Sequence, residues 1–379
     1  MALTEMKQLP SNGIKIVDLF CGAGVGASGF KMAGFDMVWG IDNNQYAVDT
    51  YNRNIGNHAI CQDIKTLDYS TIPEHDIIVS TPTCKSFSWA GRRDGFDNEK
   101  HGDLIFYFYD ILKFHRPKAF LFENVDGIVS KKNLPVFDTF IKDVEELGYQ
   151  VTWDVKDVYN YGVPQHKKRV FAVGIRNDFK KKYVFPKEVS ELEKKTVRDA
   201  IGDLPHPEYT KNSSRAVQFI NPNYTSPIKN HYGYGIRNDE KPYVNKIPIK
   251  GNVSDLPLEE AKTFLKGAYK PGKNITKGSG FLRKLDFDKP SFTITSMMNG
   301  KMNAQIVDNR DKYTNFDTTQ GIPMCRRLTV RECLRLQSVP DWFYFEDTVS
   351  LAKQYERCSG IPSLMAYKLI LSIKDTLNM

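Results

Sequence analysis

Residues 14–30 have the sequence IKIVDLFCGAGVGASGF. The apolar, β-branched start of this stretch predicts a strand, and a helix is expected to begin within the glycine-rich part. Gly22, Gly24 and Ala27 match the G-x-G-x-x-G/A spacing of phosphate-binding loops, because glycine lets the backbone turn tightly and approach a ligand closely. The stretch therefore predicts an α/β fold with a nucleotide-like cofactor, although this loop alone does not identify the cofactor.

Acidic residues follow the next two predicted strands. The strand at residues 36–41 ends at Asp42, which lies 20 residues after Gly22. An acid at this place suits hydrogen bonds to ribose hydroxyls. A third strand is predicted over residues 59–64, where Asp63 could accept a hydrogen bond from an adenine amino group. Capping of a helix or turn explains Asp63 equally well, so both interpretations stay open.

A cysteine follows another predicted strand. The apolar residues 75–79 predict a buried strand, and the next residues, 80–88, read STPTCKSFS. Pro82 and small hydroxylated residues end the strand, which places Cys84 on the loop at its carboxyl end, where open α/β sheets bind ligands. A thiol there can be partly exposed and activated by backbone N–H groups and cations. A lone Cys is more often a buried structural thiol, so the rest of the chain must decide.

Strands and helices continue to alternate as far as Arg176. The pattern predicts helices at residues 44–54, 104–114 and 134–147 and strands at residues 118–122, 149–155 and 170–175. The polar, Gly-containing residues 89–103 suit a mobile loop over a site. This alternation predicts a doubly wound, largely parallel sheet.

The pattern breaks near residue 185. We therefore divide the chain into residues 1–185, a catalytic and cofactor-binding domain; residues 186–324, a smaller irregular domain with one candidate strand at 291–295; and residues 325–379, C-terminal helices. A helix is predicted at residues 326–337, with Thr329 as its N-cap and Glu332 completing a capping box. The last helix, residues 363–377, is expected to pack back on the first domain.

Composition adds weaker constraints. The net charge of +8 suits a polyanionic partner but on its own only weakly favours nucleic acid. The six cysteines include no C-x-x-C pair, so neither a zinc site nor a disulfide framework is indicated. Residues 1–12 lack the apolar core of a signal peptide, and no apolar run is long enough to span a bilayer. We expect a cytoplasmic, monomeric protein without a membrane partner.

Several segments then occur in a family-specific order: residues 18–24, Asp42, Pro82 with Cys84, residues 123–125, residues 165–169 and residues 327–332. In these segments the chain resembles C5-cytosine DNA methyltransferases of the bacterial restriction-modification type, over nearly its whole length. The resemblance implies a Rossmann-like, S-adenosylmethionine-dependent methyltransferase sheet. It also implies that residues 186–324 form a second, smaller and irregular target-recognition domain. It further implies a nucleoid-associated protein that is bacterial, archaeal or phage-encoded.

The resemblance implies a site that needs no metal. Cys84 would add to C6 of a cytosine flipped out of double-stranded DNA, Glu123 would act at N3 and Arg169 at O2, with Lys167 beside them. S-adenosylmethionine would lie against Phe20, Cys21, Gly22, Ala23, Gly24, Asp42, Asn43, Asp63, Ile64, Pro82, Ser359 and Ile361. DNA would contact Lys85, Ser86, Ser88, Arg92, Arg93 and Gln165. A cognate restriction endonuclease in the same cell is a further expected partner.

The chain also departs from the family pattern. Thr83 and Lys85 flank the cysteine in place of Pro and Gln, Lys167 replaces the first Arg after Gln165, and the late Asn is Ser359. Lys85 could bind a DNA phosphate, which we favour, or favour the thiolate, point to solvent, or select a cofactor carrying an extra carboxylate. Other functions remain open: a catalytically silent or altered-cofactor DNA-binding paralogue, a tRNA cytosine-5 methyltransferase, or a nicotinamide dehydrogenase, which leaves Cys84 and Glu123 unexplained.

Overall fold

The computed structural model describes residues 6–82, 104–205, 228–265, 281–300, 304–312 and 324–379. The chain forms two compact units. The large-sheet unit contains residues 4–162, 167–192 and 360–379, and the small-sheet unit contains residues 163–166 and 193–359. The two units are interleaved along the chain, unlike the contiguous segments 1–185, 186–324 and 325–379 expected from the sequence.

The large-sheet unit is built on one seven-stranded sheet with the order β3-β2-β1-β4-β5-β7-β6. Its strands are β1 Lys15–Leu19, β2 Asp36–Asp42, β3 Ala59–Cys61, β4 Ile77–Ser80, β5 Ala119–Val125, β6 Tyr149–Asp157 and β7 Lys168–Arg176. The first helices of this unit are α1 Val25–Met32, α2 Gln45–Asn54, α3 Leu104–His115 and α4 Leu134–Glu146. This mixed α/β architecture confirms the fold class predicted from the alternating pattern.

Strand direction differs from a fully parallel sheet at one place. Strands β1 to β5 pair in parallel, whereas β7 runs antiparallel to both β5 and β6. The connection between β6 and β7, residues 158–167, is too short for the crossover that parallel neighbours require. As a result, the start of β7 lies beside the carboxyl end of β5, with Arg169 opposite Val125.

Aromatic side chains form much of the core on the side of the sheet covered by α3 and α4. The rings of Phe108 and Phe122 stack with centroids 5.7 Å apart. Both rings also meet Phe140 at 6.1 and 5.8 Å. Every residue of β5 is buried, as expected for a central strand covered on both faces. This packing fixes the position of the carboxyl end of β5.

The small-sheet unit contains a three-stranded sheet of order β10-β9-β8. Its strands are β8 Arg283–Lys284, β9 Gln305–Asp308 and β10 Cys325–Arg327. Its helices are α5 Val197–Ile201, α6 Lys241–Val244, α7 Leu258–Phe264, α8 Asn309–Lys312, α9 Val330–Leu336 and α10 Leu351–Arg357. No helix in the described parts of either unit is long and apolar enough to cross a membrane.

Three local predictions need correction. The helix expected at residues 326–337 begins only at Val330, although Thr329 and Glu332 do form its capping box. The preceding residues instead pair with β9, and Arg326 forms a buried ion pair with Glu332 at 2.6 Å. The candidate strand at residues 291–295 is a single bridge between Ser291 and Gln165. The third predicted strand stops at Cys61 rather than residue 64.

The last helix, α11 Ser363–Leu377, belongs to the large-sheet unit and packs on α1. The Ser363 hydroxyl donates to the Val25 carbonyl at 2.9 Å and lies 2.6 Å from the Ser28 hydroxyl. A Cβ added to Gly29 would lie 2.1 Å from the Ser363 carbonyl oxygen. The close approach of α11 therefore requires a residue without a side chain at this position.

We expect Gly29→Ala to destabilise the large-sheet unit, because its methyl group would collide with backbone. Overpacking of this kind costs about 1–3 kcal/mol. Gly26→Ala in the same helix is the matched control, since its Cβ would lie 3.5 Å from the Ile361 Cβ, an ordinary contact. Urea unfolding should give a lower midpoint for Gly29→Ala only. Equal midpoints for the two variants would contradict this packing.

Candidate active site

The carboxyl ends of β1, β2, β4 and β5 meet at one edge of the large sheet. Leu19 at the end of β1 lies beside Ile41 of β2 and Ser80 of β4, and Ser80 lies beside Phe122 of β5. The strand order reverses between β1 and β4, which is where open α/β sheets form a ligand crevice. The glycine turn, Asp42, Pro82 and Glu123 all follow or end these strands, so the topology brings the predicted residues to one edge.

The glycine turn leaves β1 through left-handed backbone conformations. Phe20, Gly22 and Gly24 have φ angles of 59°, 54° and 88°. A Cβ at Gly22 would meet nothing within 4 Å, whereas a Cβ at Gly24 would lie 2.8 Å from Ile55 Cγ1. Gly24 is the N-cap residue of α1. The turn therefore presents backbone to open space at Gly22 and packs tightly against α2 at Gly24.

Asp42 holds this turn from the neighbouring strand. The backbone N–H of Gly22 donates to Asp42 Oδ2 at 3.1 Å, and the N–H of Asn44 donates to Oδ1 at 2.9 Å. These bonds orient the carboxylate at the carboxyl end of β2. Asn43 is exposed at the same turn, and Ala23 is buried in the glycine turn.

A second acid lies beneath the turn. Burial raises the pKa of the Asp18 carboxyl well above its usual range, and the nearby Asp42 carboxylate raises it further. Burial also raises the pKa of the Cys21 thiol, with Asp18 and Asp42 adding to the effect. The buried Tyr51 hydroxyl has no hydrogen-bond partner within the described ranges. The sequence placed Asp18 in the family-like segment 18–24 but not among the individual cofactor contacts, although an Asp inside an apolar strand is a signal of a buried acid.

The structure describes the cysteine loop only as far as Pro82. The Asn124 side-chain amide donates to the Pro82 carbonyl at 3.3 Å, and the Thr81 hydroxyl donates to the Phe20 carbonyl at 3.1 Å. These bonds tie the end of β4 to β5 and to the glycine turn. The remaining residues predicted for this loop lie outside the described residues: Cys84, Lys85, Ser86, Ser88, Arg92 and Arg93.

Glu123 and Arg169 meet across β5 and β7. Arg169 Nε lies 3.0 Å from Glu123 Oε1, and the side chains are only 15% and 11% exposed. Arg169 Nη1 also donates to the Lys168 carbonyl at 2.7 Å. A guanidinium has further N–H donors that can bind a ligand oxygen. The structure thus pairs two of the residues predicted for catalysis near the carboxyl end of β5.

Lys167, also predicted for catalysis, has a different partner. Its ammonium is buried and donates to the carbonyl oxygen of Gly360, next to Ile361 in the predicted cofactor segment. Ile361 is buried and faces Gly26 of α1. Ser359, predicted to contact the same cofactor, falls within the small-sheet unit. Neither Gly360 nor its contact with Lys167 was expected from the sequence.

Asp63 takes the capping role that the sequence left open. Its carboxylate accepts a hydrogen bond from the Lys65 backbone N–H at 3.0 Å and begins a short 3₁₀ turn, Ile64–Thr66. The side chain of Ile64 is buried. The capping bond occupies one carboxylate oxygen. A hydrogen bond from the adenine amino group to the other oxygen stays a prediction.

The predicted DNA contact at Gln165 must be corrected. The side chain is fully buried in the small-sheet unit. Its amide nitrogen donates to the Leu336 carbonyl at 3.0 Å and to Gln337 Oε1 at 2.8 Å, and its amide oxygen accepts from the Ile294 N–H at 2.7 Å. Both amide hydrogens are therefore used inside this unit, so Gln165 connects protein segments instead of presenting donors to DNA.

The described residues contain no candidate metal site. Across them, no group of three or more His, Cys, Asp or Glu residues is arranged to hold a metal ion. The described cysteines, which are Cys21, Cys61, Cys325, Cys333 and Cys358, are all free.

Comparison with known proteins gives the family. The profile of the C-5 cytosine-specific DNA methylase family matches residues 14–375. The type II methyltransferase M.MthTI of Methanothermobacter thermautotrophicus is 32% identical over 369 residues, covering 96% of this chain and 98% of that protein. The type II methyltransferase M.FnuDI of Fusobacterium nucleatum is 30% identical over 372 residues, covering 96% and 95%.

Solved structures are similar in fold. A DNA modification methyltransferase encoded within an E. coli prophage has a TM-score of 0.64 at 20% identity, covering 97% of this chain and 100% of its own. Entamoeba histolytica methyltransferase EhMeth has a TM-score of 0.65 at 13% identity, covering 96% and 99%. The chain therefore belongs to the C-5 cytosine-specific DNA methylase family and is an enzyme of the DNA cytosine-5 methyltransferase class.

Proposed function

We propose that this enzyme transfers the methyl group of S-adenosylmethionine to C5 of a cytosine flipped out of duplex DNA, through a covalent bond between Cys84 and C6. The observation that carries the proposal is the ion pair between Glu123 and Arg169, 3.0 Å apart at the ligand-binding edge of the sheet. An acid beside a cation at this edge suits a ring that gains negative charge at N3 and O2 as the thiolate adds.

The cofactor fits the residues at the switch between β1 and β4. The open space beside Gly22 leaves room for a ligand against the backbone, and the Asp42 carboxylate can accept from ribose hydroxyls. The Asp42 carboxylate, held at the carboxyl end of β2, favours a ligand that carries positive charge. S-adenosylmethionine, when bound, supplies an electrophilic methyl group on such a positive sulfonium centre. Pro82 and Ile361 would complete the walls of this pocket.

The protein's own residues would divide the reaction into steps. The Cys84 thiolate forms a bond to C6, while Glu123 hydrogen-bonds or protonates N3 and Arg169 binds O2. The electron-rich C5 would then take the methyl group as the methyl–sulfur bond breaks, which leaves S-adenosylhomocysteine, and any proton given to N3 would return to Glu123. A base removes the proton from C5, the C5–C6 double bond re-forms and the Cys84 thiolate leaves. These steps require no change of oxidation state and no metal.

Recognition of the DNA sequence would belong to the small-sheet unit. Cations of this unit, such as Lys229, Arg283 and Lys246, could bind phosphates or bases once the DNA is in place. Lys85, Ser86, Ser88, Arg92 and Arg93 would contact DNA near the flipped base. The names of the relatives support a cognate restriction endonuclease as partner, and endonuclease cleavage of only the unmethylated DNA of the host would test that pairing.

We expect the wild-type protein to form a denaturant-stable complex with duplex DNA containing 5-fluorocytosine when S-adenosylmethionine is present. Fluorine cannot leave C5 as a proton, so Cys84 should stay bound after methyl transfer. Cys84→Ser should form no complex, because a hydroxyl is far less ionised than a thiol at neutral pH. Denaturing gel electrophoresis and mass spectrometry of the linked peptide measure the result.

Glu123→Gln should slow formation of that complex by roughly 10²-fold or more, the usual scale for loss of a positioned acid. Glu145→Gln, at an exposed position of α4, is the charge-matched control and should form it at the wild-type rate. A trapped complex with Cys84→Ser at the wild-type level would refute the nucleophile. A wild-type protein that binds DNA but is never trapped would indicate a silent paralogue.

The division of labour between the units gives a second expectation. A chimera that carries residues 193–359 of a relative with another target should methylate the relative's sequence. This range is exchanged as a whole because it contains both β9 and β10 and both members of the buried ion pair between Arg327 and Glu240. Sequencing of methylated cytosines in cellular DNA reads out the preference. A folded, active chimera that keeps the original target would overturn the assignment.

A further inference from the structure

Lys167 is a buried lysine just before β7. Its side chain is 1% exposed, although lysine is almost never fully buried without a partner. The backbone of this residue is held on the end of β6: its N–H donates to Asp157 Oδ1 at 3.0 Å, and its carbonyl accepts from the Val158 N–H at 3.1 Å. The neighbouring Lys168 is exposed. The ammonium of Lys167 is thus directed into the large-sheet unit by a fixed backbone.

The hydrogen bond from this ammonium ends on the Gly360 carbonyl. Gly360 lies against the first turn of α1, where a Cβ added to it would be 3.2 Å from Val25 Cβ and 4.0 Å from the Gly26 nitrogen. One turn further on, the Ser363 hydroxyl donates to the Val25 carbonyl at 2.9 Å. Residues 360–363 therefore rest on the helix that begins at the glycine turn.

Chain proximity connects this contact to the proposed base-binding pair. Lys167 precedes the first residue of β7 and Arg169 is its second residue, so the two cations are close along the chain, with the exposed Lys168 between them. Arg169 meets Glu123 at 3.0 Å, while Lys167 meets Gly360. Within residues 167–169, Arg169 therefore belongs to the pair predicted to bind the cytosine, and Lys167 binds the segment predicted to contact the cofactor.

We propose that Lys167 is a positioning residue for the cofactor and that its ammonium holds the Gly360 segment against the first turn of α1. This inference rests on the proposed function and deepens it, because it assigns Lys167 to the cofactor side of the site instead of to the cytosine. A buried cation bonded to a carbonyl holds that carbonyl more firmly than a neutral donor does. Without the ammonium, Gly360 loses this bond and the wall formed by Ile361 is no longer fixed.

The test compares Lys167→Met with Lys168→Met, which removes a neighbouring but exposed ammonium. Isothermal titration of the full-length protein with S-adenosylhomocysteine, without DNA, measures cofactor affinity directly. We expect Lys167→Met to weaken binding by about tenfold or more, the scale of one lost charge-assisted hydrogen bond. Lys168→Met should bind as the wild type does. Equal affinities in wild type and Lys167→Met would overturn the inference.

Kinetics separate positioning from a role at the base. Lys167→Met should raise the KM for S-adenosylmethionine by a similar factor while kcat and the KM for DNA stay within about twofold of wild type. Lys167→Arg, which keeps a charged donor, should recover most of the cofactor affinity. A fall in kcat and in 5-fluorocytosine trapping, with unchanged affinity for S-adenosylhomocysteine, would place Lys167 at the cytosine and contradict the inference.

Two further outcomes are distinguishable. If Lys167→Met does not fold, the same titration is made with Lys167→Gln, and hydrogen exchange is measured for the peptide spanning residues 358–363. We expect weaker binding and faster exchange there, and wild-type values of both would contradict the inference. If the wild-type protein itself does not bind S-adenosylhomocysteine, the proposed function fails; if it binds and the Lys167 variants bind equally, only the role of Lys167 fails.

Discussion

The antiparallel position of β7 between β5 and β6 is the constraint on which the site depends. Because β7 runs against β5, its first residues lie beside the last residues of β5, and Arg169 reaches Glu123. In a parallel arrangement, Arg169 would lie at the opposite edge of the sheet, away from the glycine turn. The same direction also brings Lys167 to this edge, where it can reach Gly360. A reversal of one strand therefore gathers two cations where the ligands are expected.

The other half of the site depends on contacts between distant parts of the chain. The glycine turn near the N-terminus is held by Asp42 of β2, and the helix that follows it is held by α11 near residue 363. Gly29 permits this contact because a Cβ there would collide with backbone. The proposed cofactor pocket and the proposed cytosine pocket thus share one sheet edge but have separate supports, which is why Lys167 and Glu123 variants are expected to affect different measurements.

Local patterns predicted most of this architecture. The glycine spacing, the acid at Asp42 and the alternation of strands and helices fixed the fold class, and Thr329 with Glu332 marked the start of α9. The direction of β7 was not predicted, because the strands expected at residues 149–155 and 170–175 leave 14 residues between them, enough for a crossover, whereas β6 and β7 as they form leave only residues 158–167. The partners of Gln165 and Lys167 could not be predicted, because Leu336 and Gly360 lie more than 170 residues away along the chain. The family resemblance implied a DNA contact for Gln165 and a catalytic role for Lys167, whereas both side chains are buried and bond to other parts of the protein.

The central claim is that the enzyme methylates C5 of cytosine in DNA. The most direct measurement is mass spectrometry of nucleosides from duplex DNA incubated with the protein and S-adenosylmethionine bearing a deuterated methyl group, with transfer RNA as a parallel substrate. The account predicts deuterated 5-methyl-2′-deoxycytidine from the DNA and no labelled nucleoside from the RNA. Label on N4 of cytosine, on adenine or only in RNA, or no label with a protein that binds both DNA and cofactor, would contradict it.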